Sequence, residues 1–309
     1  MREAPVAHAP VPVLCVGNLV VGGGGKTPTV AALAAEAGPS AVILSRGYGG
    51  RLEGPLVVDL QGHSAADVGD EPLMLAMAGF RVVVSRDRPA GARLAAEHGA
   101  EIVIMDDGFQ NPSLFKDLSV LVVDRERGVG NGLCLPAGPL RAPLESQLEV
   151  ADFLVLTGRG GAADPVTAAV ADLGVPVFGA RLEADSGVSA LAGKRVLAFA
   201  GIANPDKVFQ SLREAGCEVV ATRSFPDHHA YTEAECRAIS EACVSGGLVP
   251  VTTAKDRVRL SGGPERERLA ALTEVHRVRL VAEEPDAFAR VLAAARAAFA
   301  ARQVATPDP

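Results

Sequence analysis

Along the first half of the chain, short unbroken runs of Val, Ile and Leu recur: VPVLCVG, AVILS, RVVVS, EIVIMDD, LSVLVVD and FLVLT. None alternates apolar with polar positions as a half-exposed strand would. Between them lie Ala-rich stretches with helical spacing, near residues 26–37, 70–79 and 88–98. Continuous apolar strands interleaved with helices predict a mostly parallel sheet covered by helices on both faces. A second alternating series opens near residue 195 with RVLAFAG, a helix from about 204, CEVVATRSF and a helix from about 232. It runs on through LVPVTT and VHRVRLVA to a last Ala-rich helix. The stretch LEADSGVSALAGK between the two series reads as the linker, giving units 1–184 and 185–309, the second a smaller α/β unit. Residues 125–147 break the rhythm with Gly, Pro and Arg, and a loop of that length points to function.

Between the first strand and the first helix stands VVGGGGKTP. Glycines at Gly22, Gly23, Gly24 and Gly25 let backbone N–H groups turn towards phosphate oxygens, and the helix start adds positive partial charge. Lys26 then reaches the β- and γ-phosphates, and the Thr27 hydroxyl is placed to ligate Mg²⁺. The strict phosphate-loop pattern has Gly five residues before Gly25, where this chain has Val20; Gly22 to Gly24 supply that freedom instead. The strand–loop–helix context makes this a nucleotide-phosphate loop.

EIVIMDDGFQN ends a buried strand in Asp106 and Asp107, placed to hold Mg²⁺ directly or through water. VGDEP puts Asp70 at a helix start, where by itself it reads as a cap. VSRDRPAGA repeats the form with Asp87 and Pro89, and its Arg86 and Arg88 either meet phosphate or are solvated. In SFPDHHAYT, the neighbours His228 and His229 face opposite ways on an extended segment and do not share a metal; each by itself reads as an exposed loop histidine. TTAKDR sets Lys255 directly beside Asp256, which fails the guanine-reading spacing of regulatory GTPases. Val21 stands where partitioning-type ATPases carry a second lysine. Both absences favour a kinase acting on a small acceptor.

A formal charge of −7 and no Trp argue against nucleic acid as the main partner. Five cysteines with no Cys-x-x-Cys spacing argue against a structural zinc site or a disulfide framework and fit a reducing cytoplasm. No run approaches the roughly 18 apolar residues of a membrane span, and MREAPVAHAPVP lacks a signal-peptide core, so a soluble or peripheral protein is expected.

Taken in order from about residue 11 to 256, VPVLCVGNLVVGGGGKTP, LSRGYGG, VGDEPLMLA, VVVSRDRPAGA, DDGFQN, LPAGPLR, FAGIANPDKVFQSLR, FPDHHAYT and TTAKD are similar to the blocks of one family. The chain resembles the tetraacyldisaccharide 4′-kinases, the lipid A 4′-kinases of Gram-negative bacteria. The resemblance implies a P-loop NTPase-like sheet with a second α/β domain closing over it. It also implies transfer of the ATP γ-phosphate to the 4′-hydroxyl of a tetraacylated glucosamine disaccharide 1-phosphate, giving lipid IVA. By position, Lys26 and Thr27 hold phosphates and Mg²⁺, and Asp106 and Asp107 take the Walker B role. Asp70 becomes the catalytic base rather than a cap, and His228 the histidine that assists it. The protein is then expected in the cytoplasm, peripheral at the inner face of the inner membrane.

Three positions depart from the family pattern. Ala142 and Ala254 stand where Glu is usual, and about ten polar, Pro-rich residues occupy the place of an apolar or amphipathic N-terminal segment. A loop surface with Leu133, Leu135, Leu140 and Leu144 beside Arg125, Arg127 and Arg141 is the expected membrane contact. Read from residues alone, a P-loop ATPase switch and a kinase for a soluble acceptor stay open.

Overall fold

The computed structural model describes residues 6–22 and 25–305. Its larger sheet is built from β1 (Val13–Asn18), β2 (Ala41–Ser45), β3 (Leu56–Val57), β4 (Arg81–Val84), β5 (Ile102–Asp106), β6 (Leu118–Asp124), β7 (Phe153–Thr157) and β8 (Val177–Ala184). A smaller sheet holds β9 (Arg195–Ala200), β10 (Glu218–Ser224), β11 (Val249–Thr253) and β12 (Glu274–His276), and β13 (Val278–Ala282) returns to the larger one. The strand orders are β13-β8-β7-β6-β1-β5-β2-β4-β3 and β10-β9-β11-β12. Every pairing is parallel except the two edge pairs, β3 with β4 and β13 with β8.

All six residues of β1 are buried, because both faces of the sheet are covered. Cys15 joins Leu44, Val103 and Met105 on one side, while Leu14 and Val16 join Ile43, Ile104 and Val120 on the other. The helix Lys26–Ala37 covers that second face through Val30, Leu33 and Ala34. This is the physical reason the strand runs carry no polar alternation.

The expected division at residue 184 differs from the observed pairing. VHRVRLVA reads as one strand, yet the chain changes sheets at Arg277: Glu274–His276 pairs with β11, and Val278–Ala282 runs antiparallel to β8. Leu280 then packs in the cluster that holds Phe178, and the helix Ala287–Ala305 lays Val291, Leu292 and Ala295 on the same face. Without β13 the backbone of β8 would be a bare edge, and the last helix would have no apolar face to cover. The chain from residue 278 to 305 therefore belongs with the larger sheet, not with the second unit.

Strand order also decides where a ligand can bind. β1 lies between β5 and β6, and the chain leaving β1 passes β5 to reach β2. Crevices for ligands open at such a point, outside the carboxyl ends of the strands. Here the end of β1 leads into the glycine run, and Val16 is in register with Asp106.

Candidate active site

Gly25 caps the helix Lys26–Ala37 with φ +86°, a left-handed conformation that a side chain would strain, and Gly22 has φ +102°. Gly23 and Gly24 lie outside the described residues. Val20, at the position where the strict loop pattern has glycine, forms an antiparallel bridge with Leu140, and the Val21 N–H donates to the Pro139 carbonyl at 2.9 Å. The loop thus opens as a short strand edge, which suits a β-branched residue. Burial pushes the Lys26 ammonium below its usual pKa, opposed chiefly by Asp107, whose Oδ1 lies 3.6 Å from Nζ. Thr27, next in the first turn, is buried.

The two aspartates after β5 have different surroundings. Asp106 is buried, and its Oδ1 has no hydrogen-bond partner. Burial, then the charges of Glu71 and Asp107, raise its carboxyl to about 7, against Lys26 and Arg88. Asp107 has φ +51° and is already engaged, by Lys26 and by Arg141 Nη2 at 3.1 Å. Arg141 also donates from Nε to the Val20 carbonyl at 3.2 Å, tying the loop 125–147 to the glycine run. Arg88 neither faces phosphate nor is solvated, contrary to both readings of its motif. It is 2 % exposed and donates to the carbonyls of Ser85 and Asp106 at 3.2 and 3.3 Å, so it braces the end of β5 from inside.

Among the described residues, no three His, Cys, Asp or Glu side chains converge as a metal cage. A threonine hydroxyl and one buried, unpartnered carboxylate oxygen fit a different kind of ion. Mg²⁺ binds through one or two protein oxygens and takes the rest of its shell from phosphates and water.

Asp70 and Asp87 look alike in sequence and differ in space. Asp87 caps the helix Arg88–Glu97, accepting the Ala90 N–H at 3.0 Å. Asp70 opens the helix Asp70–Met77 but does not cap it; Gly69 does, with φ +94° and so little room that a Cβ would meet the Tyr48 carbonyl oxygen at 2.4 Å. The Asp70 carboxylate is thereby free to face the second unit, where Oδ2 lies 3.0 Å from Nδ1 of His228. His228 has φ +59° and donates its backbone N–H to Gly201 at 3.2 Å. His229 turns away: its Nε2 is 3.0 Å from Glu235 Oε2, and its ring stacks on Phe225.

Two cations of the second unit complete this contact, and sequence reading missed both. Arg259 reaches Asp70 Oδ2 from Nε at 2.8 Å and from Nη2 at 2.7 Å, and Lys255 pairs with Glu71. Val258, between them, packs with Val68, Leu73 and Val84 of the first unit. The available signal was the spacing of Asp256 and Arg259, three apart, with the first in the short helix Ala254–Arg257 and the second in the turn that follows it. Of the seven loop residues expected at a membrane, Leu133 and Leu135 are 52 % and 55 % exposed and Arg127 is exposed. Leu140 is buried, Leu144 is half-buried, Arg125 pairs with Glu283, and Arg141 pairs with Asp107. The Ala142 carbonyl accepts from Gln147 Nε2 at 2.8 Å, and Ala254 opens a short helix capped by Thr253.

This arrangement has relatives. The tetraacyldisaccharide 4'-kinase of Methylobacterium nodulans is 52 % identical over 309 residues, 99 % of this chain and 88 % of the relative. That of Bradyrhizobium sp. (strain ORS 278) is 55 % identical over 262 residues, 84 % of this chain and 78 % of the relative. Among solved structures, the fold matches the "apo" form of LpxK from Aquifex aeolicus in complex with ATP, with a TM-score of 0.72 and 29 % identity over 94 % of this chain and 90 % of that one. The tetraacyldisaccharide-1-P 4'-kinase (LpxK) family profile runs from residue 2 to residue 296 of this sequence, and the chain belongs to that family.

Proposed function

We propose that this chain binds ATP and transfers its γ-phosphate to the 4′-hydroxyl of a tetraacylated glucosamine disaccharide 1-phosphate, giving lipid IVA in lipid A biosynthesis. The observation that carries the site assignment is the Asp70–His228 contact, made across 158 residues of chain. It stands close to the phosphate loop, since the charge of Glu71 acts on both Lys26 and Asp106.

Lys26 and the backbone of Gly22 to Gly25 hold the β- and γ-phosphates and the negative charge that develops on them. The substrate hydroxyl oxygen bonds to the γ-phosphorus as the bond to the ADP oxygen breaks, and ADP keeps that electron pair. The hydroxyl proton passes to the Asp70 carboxylate, with His228 beside it to orient and share the charge. Thr27 and Asp106 hold Mg²⁺, which when bound supplies neutralisation of phosphate charge. Asp107 serves the same end by holding Lys26 and Arg141. The second unit, residues 185–277, closes over ATP and excludes water as a competing acceptor. The ion pairs Glu71–Lys255 and Glu126–Lys207 between the units support that closure.

The acceptor is a lipid, so the chain works at the cytoplasmic face of the inner membrane as a peripheral protein. No helix among the described residues is long and apolar enough to cross a membrane. Leu133, Leu135 and Arg127 form the contact. Transfer from γ-labelled ATP to the tetraacyldisaccharide 1-phosphate tests the reading, with a chain-shortened analogue beside it. Lipid-dependent transfer is expected. ATP loss that ignores the lipid would favour a switch, and equal use of the analogue would favour a soluble acceptor.

A further inference from the structure

Among the described residues, neither the Asp70 carboxylate nor the His228 ring is bonded by a sequence neighbour, although the His228 backbone N–H donates to Asp227 Oδ1 at 3.1 Å. Asp70 does not cap its helix, and His228 sits in a loop in a left-handed conformation. The side chain common to both is Arg259, only 5 % exposed. Its Nε and Nη2 donate to Asp70 Oδ2, its Nη1 donates to the Gly201 carbonyl at 2.8 Å and to Asp256 Oδ1 at 3.1 Å, and Nη2 lies 3.3 Å from His228 Nδ1. Asp256 is fixed in turn, because it accepts from the Gly201 N–H, the Tyr231 hydroxyl and the Thr253 hydroxyl. Burial of Tyr231, and then the charge of Asp256, push the Tyr231 phenol up, so that hydroxyl remains a donor.

Every contact that Asp70 makes with Arg259 and His228 falls on Oδ2. Among the described residues, no hydrogen bond is made to its Oδ1.

We propose that Arg259 is the positioning residue of the proton-transfer site, holding Asp70 by Oδ2 so that Oδ1 is left for the substrate hydroxyl. This rests on the reading of Asp70 as the base. A guanidinium suits the task because its planar fork spans two acceptors at once, here a carboxylate from each unit. The charged groups around Asp70 come from both units. His228 and Arg259 face it directly, Glu71 follows it with Lys255 as partner, and Asp256 lies behind the guanidinium.

The test compares Arg259→Gln, Arg259→Lys and Asp70→Asn in lipid-dependent transfer at one pH and saturating Mg²⁺, with thermal unfolding of each. For Arg259→Gln, kcat is expected to fall about 10²-fold, with KM for ATP within about threefold of wild type. Arg259→Lys keeps the charge but loses the planar fork, so its kcat should fall less, by about tenfold. A merely structural arginine would lower stability and leave kcat of the folded enzyme at the wild-type value, and that result overturns the proposal. If Arg259→Gln does not fold, Arg259→Lys decides: undiminished kcat overturns it. An active Asp70→Asn enzyme would instead remove the base assignment itself, while an inactive one beside a fully active Arg259→Gln would sink only the role of Arg259.

Discussion

Asp107 Oδ1 stands 3.6 Å from the Nζ of Lys26, across the crevice between the end of β5 and the helix that follows β1. A half-dry lysine would lose its charge more easily; the carboxylate keeps it cationic and aims it where phosphate is expected. Lys26→Ala should therefore fold normally and lose transfer by about 10²–10³-fold, the usual cost of one preorganised donor at a developing negative charge. Wild-type turnover with unchanged ATP affinity would remove the glycine loop from the mechanism.

The two aspartates should separate by their demand for metal. Asp106 has the unpartnered oxygen, whereas Asp107 is paired with two cations. Asp106→Asn is expected to raise the Mg²⁺ concentration for half-maximal transfer by about tenfold or more, and Asp107→Asn by about threefold at most. A Mg²⁺ titration of both variants checks this, and the opposite order would give the ligand role to Asp107.

Acid should weaken Mg²⁺ binding at an unusually high pH. The Asp106 carboxyl titrates near 7 in the fold, above its ordinary value of 3.8. In that interval the folded state binds the extra proton, so the metal-free protein loses stability as pH rises from about 4 through 7. Mg²⁺ needs the carboxylate ionised, so its affinity should fall about tenfold per pH unit below 7 and level off above it. Calorimetry with a non-hydrolysable ATP analogue at pH 6, 7 and 8, corrected for the nucleotide's own protonation, reads this as proton release at pH 6 that vanishes by pH 8. Constant affinity across that range would contradict it.

The histidines should not be equivalent. Asp70→Asn keeps the first-turn geometry and cannot take a proton at neutral pH, so kcat should fall about 10²–10⁴-fold with stability almost intact. His228→Ala should cost less, and His229→Ala should act mainly on stability, because its partners Glu235 and Phe225 belong to its own unit. If His229→Ala stopped transfer at unchanged stability, the assignment within Asp-His-His would be reversed.

Binding to anionic liposomes should depend on the tip of the 125–147 loop. Leu133→Ser with Leu135→Ser exposes no core, since both side chains already face solvent, and it should reduce flotation with unchanged transfer to a detergent-dispersed substrate. Leu140→Ser would not be informative, because that side chain is core. Equal flotation of the double variant and the parent would rule this surface out.

Much of this protein was legible one stretch at a time. Unbroken apolar runs such as LSVLVVD specify strands buried on both faces, and Gly25-Lys26-Thr27 specifies the turn into the first helix, which Gly25 caps. These depend on contacts a few residues apart, which composition and spacing encode directly. The resemblance of the ordered motifs carried the family and its activity. Three matters were decided only by tertiary structure. VHRVRLVA has one apolar pattern but serves two sheets, because the bare edge of β8 lies nearly a hundred residues earlier and cannot be seen from the stretch itself. Asp70 and Asp87 share a local sequence form, yet one caps its helix and the other does not, since the close approach of Tyr48 demands a glycine at the cap before Asp70. Arg259 looks like any charged residue on a helical turn until folding sets it between Asp70 and Asp256, 189 and 3 residues away. Local patterns report what each segment must bury; which charges then face one another depends on how distant segments share those buried faces.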